Sequence, residues 1–282
     1  MHIVPRLPLA RVVSAGVDWF TVTATPDEDV DALVRFGMAL VRADRARGNR
    51  AHQNSWMGYA GERSTYAFWG DCSRGACVRA AGVLADEAFD ELRGLRLRCT
   101  RLDHQVTVQF PEVLEDVVEA VRDAYIAAAP LLSNPPEWDY HHSSRGGSTF
   151  YLGRRANDLW GRIYDKHKQS GGAYPPATFR WELETKKPTS DAHRARLLAS
   201  ADRRATSAAT VRAYCTARYV PAPWGDVDGD VLARPPAEQS DDERWRRWAE
   251  RQVRPGFARR GPRGRDILIR WLLEDHGEGE AA

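Results

Sequence analysis

The sequence predicts an α+β fold in which helices pack on one face of an antiparallel sheet, followed by a helical C-terminal extension. Strand-like and helix-like stretches are mixed up to about residue 187, and helical patterns dominate after it. Residues 177–185 alternate between apolar and charged side chains, as a strand with one covered face requires. Residues 27–46 instead repeat apolar side chains at helical spacing. This order fits helices on one side of a sheet better than a doubly wound parallel fold.

The first half of the chain contains most of the predicted strands. Residues 16–23 are rich in β-branched and aromatic side chains and predict the first strand. A helix follows over 27–46, because Thr25-Pro26-Asp27 is a typical helix start. The remaining predictions are strands at 55–59, 65–69 and 76–80, a helix at 85–93, a strand at 97–110 and a helix at 112–129.

The second half begins with residues 133–147, which are polar and rich in turn formers and predict a loop. Strands are expected at 148–152, 159–165 and 177–185, with a loop at 170–176. Helices are expected at 189–205, 239–252 and 266–274, with a Pro-, Gly- and Asp-rich connection at 221–236. We therefore predict an α+β core over residues 1–188 and a mainly helical region over 189–282 that packs on the core or follows it.

Composition excludes several classes of protein. Hydrophobic residues make up 43% and charged residues 28% of the 282 residues, the balance of a globular protein. No apolar run approaches the ~20 residues of a membrane span, and the N-terminal segment lacks the features of a signal peptide. Four cysteines are too few for a disulfide scaffold. We expect a reduced, cytoplasmic protein that does not bind a membrane.

The basic residues are distributed unevenly, although the net charge is only 41 − 39 = +2. Residues 244–270 carry ten arginines against two acidic residues. Such a run suits a phosphate backbone, and it suits a solvated helix face equally well. Only four of the 41 basic residues are lysines, all between positions 166 and 187. A lysine in so arginine-rich a chain suggests a role for a compact cation whose pKa shifts readily.

Three predicted strands place chemically reactive side chains on shared faces. These are Asp103 on one strand, Arg162, Tyr164 and Lys166 on a second, and Arg180, Glu182 and Glu184 on a third. Taken singly, they are better explained by ordinary structure: a paired edge residue for Asp103, packing for Tyr164 and a surface ion-pair ladder for Arg180, Glu182 and Glu184. Together they offer what metal-assisted phosphoryl transfer requires, since carboxylates hold Mg²⁺ or Mn²⁺ and a tyrosine can attack phosphorus. Cations such as Lys166 are expected to lower the pKa of the phenol.

The same segments resemble, in order, the motifs of the replication initiation factor family: rolling-circle initiators of plasmids and phages, and related conjugative relaxases. The matching segments are Thr100-Arg101-Leu102-Asp103, Tyr151-Leu152-Gly153-Arg154-Arg155, Arg162-Ile163-Tyr164-Asp165-Lys166 and Arg180-Trp181-Glu182-Leu183-Glu184-Thr185-Lys186. The resemblance covers about residues 14–187. Four motifs in the right order are specific, whereas any one alone would be weak.

The resemblance implies an enzyme that nicks one strand of DNA at an origin and stays attached to the 5′ phosphate through Tyr164. The implied roles are metal ligation by Asp103, Glu182 and Glu184, and DNA binding by Arg154 and Arg155. Arg162, Lys166 and Arg180 would either contact the scissile phosphate or stabilise the acidic site. In the arginine-rich run, we expect Arg244, Arg246, Arg247 and Arg251 to contact the DNA backbone. The cofactor would be Mg²⁺ or Mn²⁺, and a host helicase and a homodimer are compatible partners.

Two other functions stay open at this point. A conjugative relaxase would use the same chemistry, and a non-catalytic DNA-binding protein would keep only the fold. The non-catalytic function is suggested by Thr107, which stands where some relatives carry another aspartate four residues after Asp103. His104 follows Asp103 directly and therefore points to the opposite face of the strand, where packing is expected.

Overall fold

The computed structural model describes residues 7–44, 47–48, 55–59, 64–73, 75–114, 116–144 and 147–232. They belong to the first of the two compact units into which the chain divides, which ends at Arg234. The helices predicted at 239–252 and 266–274, and the arginine-rich run at 244–270, lie outside the described residues.

One antiparallel sheet of ten strands runs through the described part of the chain, in the order β2-β3-β4-β5-β1-β6-β10-β9-β8-β7. The strands are β1 (Arg11–Ala24), β2 (Arg47–Gly48), β3 (Ser55–Tyr59), β4 (Thr65–Asp71), β5 (Gly75–Ala81), β6 (Arg98–Gln109), β7 (Trp138–Ser143), β8 (Gly147–Leu152), β9 (Leu159–Asp165) and β10 (Thr178–Lys186). The three longest, β1, β6 and β10, lie side by side at the centre. The predicted site strands are therefore central.

Five longer helices pack on one face of this sheet, which confirms the predicted α+β architecture. They are α1 (Val30–Asp44), α2 (Val83–Glu91), α3 (Val117–Ala128), α5 (Lys187–Ala199) and α6 (Arg203–Thr216). The short α4 (Lys166–Gln169) lies at the end of β9, and a 3-10 turn at Ala129–Leu131 follows α3. Within the described ranges, no helix combines the length and the apolar character needed to cross a membrane.

The core between the helices and the sheet has two parts. Phe20 and Phe68 are fully buried beneath α1 and α2, and the ring of Phe20 lies 5.2 Å from that of Phe89. In the second part, Trp181 of β10 and Tyr125 of α3 are fully buried between the sheet and the helices α3 and α6. Burying one such ring contributes about 2–3 kcal/mol, so these contacts hold the helices to a single face. The opposite face carries a mixture of charged, polar and aromatic side chains, among them Asp103, Glu184 and Trp160.

Two element predictions are wrong. Residues 133–147 contain β7, an edge strand that pairs only with β8 in the described sheet, and its side chains are mostly exposed. Because it covers no core, its sequence lacks the apolar alternation of a buried strand. The helix predicted over 189–205 ends at Ala199, and a new helix starts after Asp202, whose carboxylate accepts the backbone N–H groups of Arg204 and Ala205. Asp202 is thus an N-cap within a stretch that reads as continuous helix.

The helices α5 and α6 pack against β6, β1 and β10. They cover the helix-bearing side of the central strands, with fully buried Leu197 on α5 and buried Val211 on α6. The predicted division of the chain at residue 188 stays a prediction.

Candidate active site

The strands that carry the predicted site residues are neighbours, in the order β6, β10 and β9. Cross-strand pairing brings six of the predicted residues together: Asp103 with Glu184, Glu182 with Arg162, and Arg180 with Tyr164. Glu182 pairs with Gln105 on its other side. Because alternate residues of a strand share a face, this cluster lies on the face opposite the five longer helices.

Tyr164 is at the centre of the cluster. Its hydroxyl donates a hydrogen bond to Oε1 of Glu182 over 2.5 Å, and only 7% of its surface is exposed. Burial raises the pKa of Tyr164 well above that of a free phenol, and the carboxylate of Glu182 adds to the rise. Arg180 and Arg162 do lower this pKa, as expected of cations, but burial and Glu182 outweigh them, so the expected net fall is replaced by a rise. The phenol keeps its proton at neutral pH and faces a carboxylate that can accept it.

Two arginines flank the Tyr164–Glu182 pair. Arg162 donates through Nε to Oε2 of Glu182. Arg180 donates to Thr107 Oγ1 over 2.8 Å, to Asp18 Oδ1 over 2.6 Å and to the hydroxyl of Tyr174 over 3.3 Å. Burial alone would lower the pKa of either arginine, but the neighbouring carboxylates raise it above its ordinary value. Both side chains are permanent cations beside the tyrosine.

Lys166 begins α4 instead of continuing β9, because Asp165 ends the strand and caps this short helix. Its Nζ nevertheless lies 5.6 Å from the ring centre of Tyr164 and 5.5 Å from that of Tyr174. Burial lowers the pKa of Lys166 to about 8, and the positive charge of Arg180 contributes to the shift. Lys166 can therefore release its proton close to neutral pH, which an arginine cannot do.

Arg101 lies between Asp103 and Glu184. It donates two hydrogen bonds to the carboxylate of Asp103, over 2.9 and 2.6 Å, and its terminal nitrogen lies 2.8 Å from Oε2 of Glu184. Burial raises the pKa of Asp103 to about 7, although Arg101 acts in the opposite direction. Arg101 had no predicted role. Its position two residues before Asp103 on a strand puts both side chains on one face, which could have predicted their contact.

The three predicted metal ligands do not converge on a common point. In the described ranges, no group of three or more His, Cys, Asp and Glu side chains is placed to hold a metal ion. Each carboxylate is instead paired with a cation. Asp103 and Glu184 both form ion pairs with Arg101, and Glu184 also lies 2.8 Å from Nζ of Lys186. Glu182 forms an ion pair with Arg162. Both Glu184 oxygens are buried and, despite these ion pairs, lack an aligned hydrogen-bond donor. A divalent cation would have to displace Arg101, so dependence on Mg²⁺ or Mn²⁺ stays a prediction.

Thr107 and His104 have clear structural roles. The hydroxyl of Thr107 accepts from Arg180 and donates to Oε1 of Gln105 over 2.8 Å, so it positions a cation. His104 is fully buried on the helix-bearing face, as expected. Its Nε2 lies 2.9 Å from Nδ1 of His193, and its Nδ1 lies 3.1 Å from Oγ of Ser207.

The other predicted DNA contacts fall into two groups. Arg154 forms an exposed ion pair with Glu137. The guanidinium of Arg155 lies 5.6 Å from the ring centre of Trp160, with no carboxylate partner among the described residues. The second group, Arg244, Arg246, Arg247 and Arg251, lies outside the described residues.

A groove with a volume of about 770 Å³ leads to the cluster. It follows residues 11–18 of β1, which pair with β6 and with no other strand in the described part of the chain. Lys166, Tyr174 and Arg180 line the end of the groove beside Tyr164. An extended ligand lying in this groove would therefore reach the cations around the tyrosine.

No family model matches the sequence, and no curated protein matches it. Among solved structures, that of a rolling circle replication initiator protein from Geobacillus stearothermophilus is similar at a TM-score of 0.48 and 17% identity. The match covers 82% of this chain and 91% of that chain. A likeness of this size assigns no role to any residue of the present chain.

Proposed function

We propose that this protein initiates rolling-circle replication by nicking one strand of DNA and holding the 5′ phosphate on Tyr164. One observation carries the proposal: a tyrosine hydroxyl bound to a carboxylate and surrounded by Arg162, Arg180 and Lys166. A nucleophile, a base and cations for a phosphate are the groups that such a transfer needs. The assignment to replication initiation rests on the motifs between residues 100 and 186.

In the proposed step, Tyr164 attacks the scissile phosphorus. Because the pKa of Tyr164 is raised, the hydroxyl must lose its proton during the attack, and Glu182 accepts it over 2.5 Å. The bond from phosphorus to the 3′ oxygen breaks as the bond from phosphorus to the phenol oxygen forms. The ammonium of Lys166 gives a proton to the departing 3′ oxygen, which leaves as a hydroxyl. The reverse sequence rejoins the strand.

Arg162 and Arg180 stabilise the negative charge that grows on the phosphate. Their position is fixed before DNA arrives, because Glu182 holds Arg162 while Asp18 and Thr107 hold Arg180. Preorganised cations of this kind act more strongly at a site shielded from water. The scissile phosphate would approach from the groove, whose wall includes Lys166 and the buried Arg180.

The test is a cleavage assay on single-stranded fragments that tile the protein's own gene and its flanks. We expect a protein–DNA adduct on one fragment that survives denaturing electrophoresis and is absent with Tyr164→Phe. Tyr219→Phe, at an exposed tyrosine just after α6, is the matched control and should leave the adduct intact. Parallel reactions with Mn²⁺ and with EDTA test the predicted metal dependence. An adduct that persists with Tyr164→Phe would refute the nucleophile assignment.

A non-catalytic DNA-binding protein is the second candidate, and one observation favours it. The carboxylates at Asp103, Glu182 and Glu184 are all paired with cations, an arrangement that is stable without substrate. This function predicts DNA binding without an adduct on any fragment, with or without Mn²⁺. The same assay therefore separates the two candidates.

A further inference from the structure

A stack of arginine and tryptophan side chains lies beside the active-site cluster, on the same face of the sheet. The guanidinium of Arg79 lies 5.6 Å from the ring centre of Trp69 and 5.4 Å from that of Trp19. Arg101 also lies near Trp19, with its guanidinium 4.2 Å from the ring centre. We call Trp69, Arg79 and Trp19 the Arg–Trp stack. It connects β4 to the Arg101–Asp103 pair of the candidate active site.

Arg79 differs from the arginines of the active site because it is exposed and has no carboxylate partner in the described part of the chain. Arg101, Arg162 and Arg180 each bind a carboxylate. Arg79 is instead oriented by two indole rings, each of them half-buried. Its charge is therefore available to an external anion.

A similar group lies on the other side of the cluster. Trp160 stacks on Tyr151 with a ring separation of 5.2 Å and an interplanar angle of 15°. Arg155 lies over Trp160, and the ring of His141 meets the edge of Tyr151 at 5.6 Å. Arg155 is exposed and, like Arg79, has no carboxylate partner among the described residues.

The register of the sheet places these two groups on either side of the reactive residues. Trp19 pairs with Asp103, Asp103 with Glu184, and Glu184 with Trp160, so the four form one row across β1, β6, β10 and β9. Neighbouring strands are about 4.8 Å apart, so the row spans roughly 14 Å from Trp19 to Trp160. An extended strand of a few nucleotides is long enough to contact both ends.

We propose that the Arg–Trp stack binds single-stranded DNA beside the scissile phosphate, with a base on the indole ring of Trp69 and a backbone phosphate on Arg79. The proposal rests on the proposed function for the identity of the partner. Aromatic rings alternating with arginine suit single strands, since unpaired bases stack on the rings and phosphates bind the guanidinium groups. The Trp160 group would hold the strand on the other side of the nick.

The experiment uses the full chain carrying Tyr164→Phe, so that binding is measured without cleavage. A labelled single strand of about 16 nucleotides is titrated by fluorescence anisotropy at several salt concentrations. Trp69→Ala should weaken binding about 5- to 150-fold, the effect of losing one stacked base. Arg79→Ala should reduce the slope of log K against log salt by about 0.7, because one phosphate contact is lost.

Three controls make the result specific. Trp69→Phe keeps a ring and should recover most of the affinity, which a loss of folding would not explain. Trp138→Ala removes an exposed tryptophan that packs near Phe150 on the other face and should leave binding unchanged. A duplex of the same sequence has its bases already stacked, so Trp69→Ala should not weaken its binding.

The proposal is overturned if the parent does not bind single strands, or if Trp69→Ala and Arg79→Ala bind them with unchanged affinity and salt slope. Equal weakening for single strand and duplex would also contradict it, since base stacking would then play no part. The proposed function is judged separately, by the adduct that the wild-type chain forms. Nicking can fail while the stack binds DNA, and the stack can fail while nicking is observed.

Discussion

Replacement of Lys166 tests the proposed proton donor. In an arginine-rich chain, a lysine near the nucleophile offers an exchangeable proton that arginine does not. Its pKa of about 8 leaves roughly nine-tenths of the side chains protonated at pH 7 and one-tenth at pH 9. Nicking by the wild-type chain should therefore slow about tenfold for each pH unit above 8. Lys166→Arg should slow nicking about 10²- to 10⁴-fold at pH 7, the usual contribution of a general acid.

The charged and titratable groups of the sheet that face Lys166 come from three strands. They are Asp18 on β1, Arg162 and Tyr164 on β9, and Arg180 and Glu182 on β10. Arg162 and Arg180 keep their charge between pH 7 and 9, because the neighbouring carboxylates raise both pKa values above that of an ordinary arginine. The phenol of Tyr164 also stays protonated there, since its pKa is raised. The fall in the rate of nicking above pH 8 should therefore follow the deprotonation of Lys166.

The assay compares an ordinary single-stranded substrate with one that carries sulfur in place of the bridging 3′ oxygen at the nick. A thiolate leaves without being protonated, so Lys166→Arg, which keeps the positive charge, should cleave the sulfur substrate at close to the wild-type rate. Glu182→Gln should stay slow on both substrates, because it affects the attacking oxygen. Lys168→Arg is the matched control, since Lys168 is exposed at the other end of α4. Equal slowing of Lys166→Arg on both substrates would refute the role.

Two further predictions concern stability. Burial and the neighbouring His193 lower the pKa of His104 well below 6.5, so this histidine is neutral in the folded protein but gains a proton in the unfolded chain at low pH. The contribution is present above the unfolded pKa of about 6.5 and is lost as pH falls below it. Because the raised pKa of Asp103 stabilises the fold as pH falls through the same range, the test uses Asp103→Asn, whose urea midpoint should drop between pH 7 and 5; a midpoint that is flat in this variant would contradict the account. Gly37→Ala on α1 would place a Cβ 2.3 Å from the ring of Phe68, which cannot move freely in the core. We expect a loss of about 1–3 kcal/mol in the free energy of unfolding in spite of the better helix propensity, and a thermal midpoint equal to or above that of the wild type would refute it.

The strands of the candidate site were predictable because their patterns are local. Alternation of Phe179, Trp181 and Leu183 with charged residues fixed both the position of β10 and the face on which Arg180 and Glu182 lie. The same reasoning placed His104 in the core. Period-two patterns carry this information wherever one face of a strand is covered.

The partners within the site were not predictable in the same way. Asp18 binds Arg180 from a distance of 162 residues along the chain, and only the strand order brings β1 and β10 to either side of β6. The raised pKa of Tyr164 likewise depends on burial, which the spacing of charges does not reveal. The stack around Arg79 joins β4, β5 and β1, none of which carried a motif.

The most direct test of the account is to locate the covalent bond to DNA. The adduct from the tiling assay would be digested with nuclease and trypsin and analysed by mass spectrometry. Trypsin cuts after Arg162 and Lys166, so the nucleophile lies in the segment 163–166, whose only tyrosine is Tyr164. The account predicts this segment with the added mass of a 5′-linked nucleotide. A nucleotide on any other residue, or DNA binding without an adduct, would contradict it.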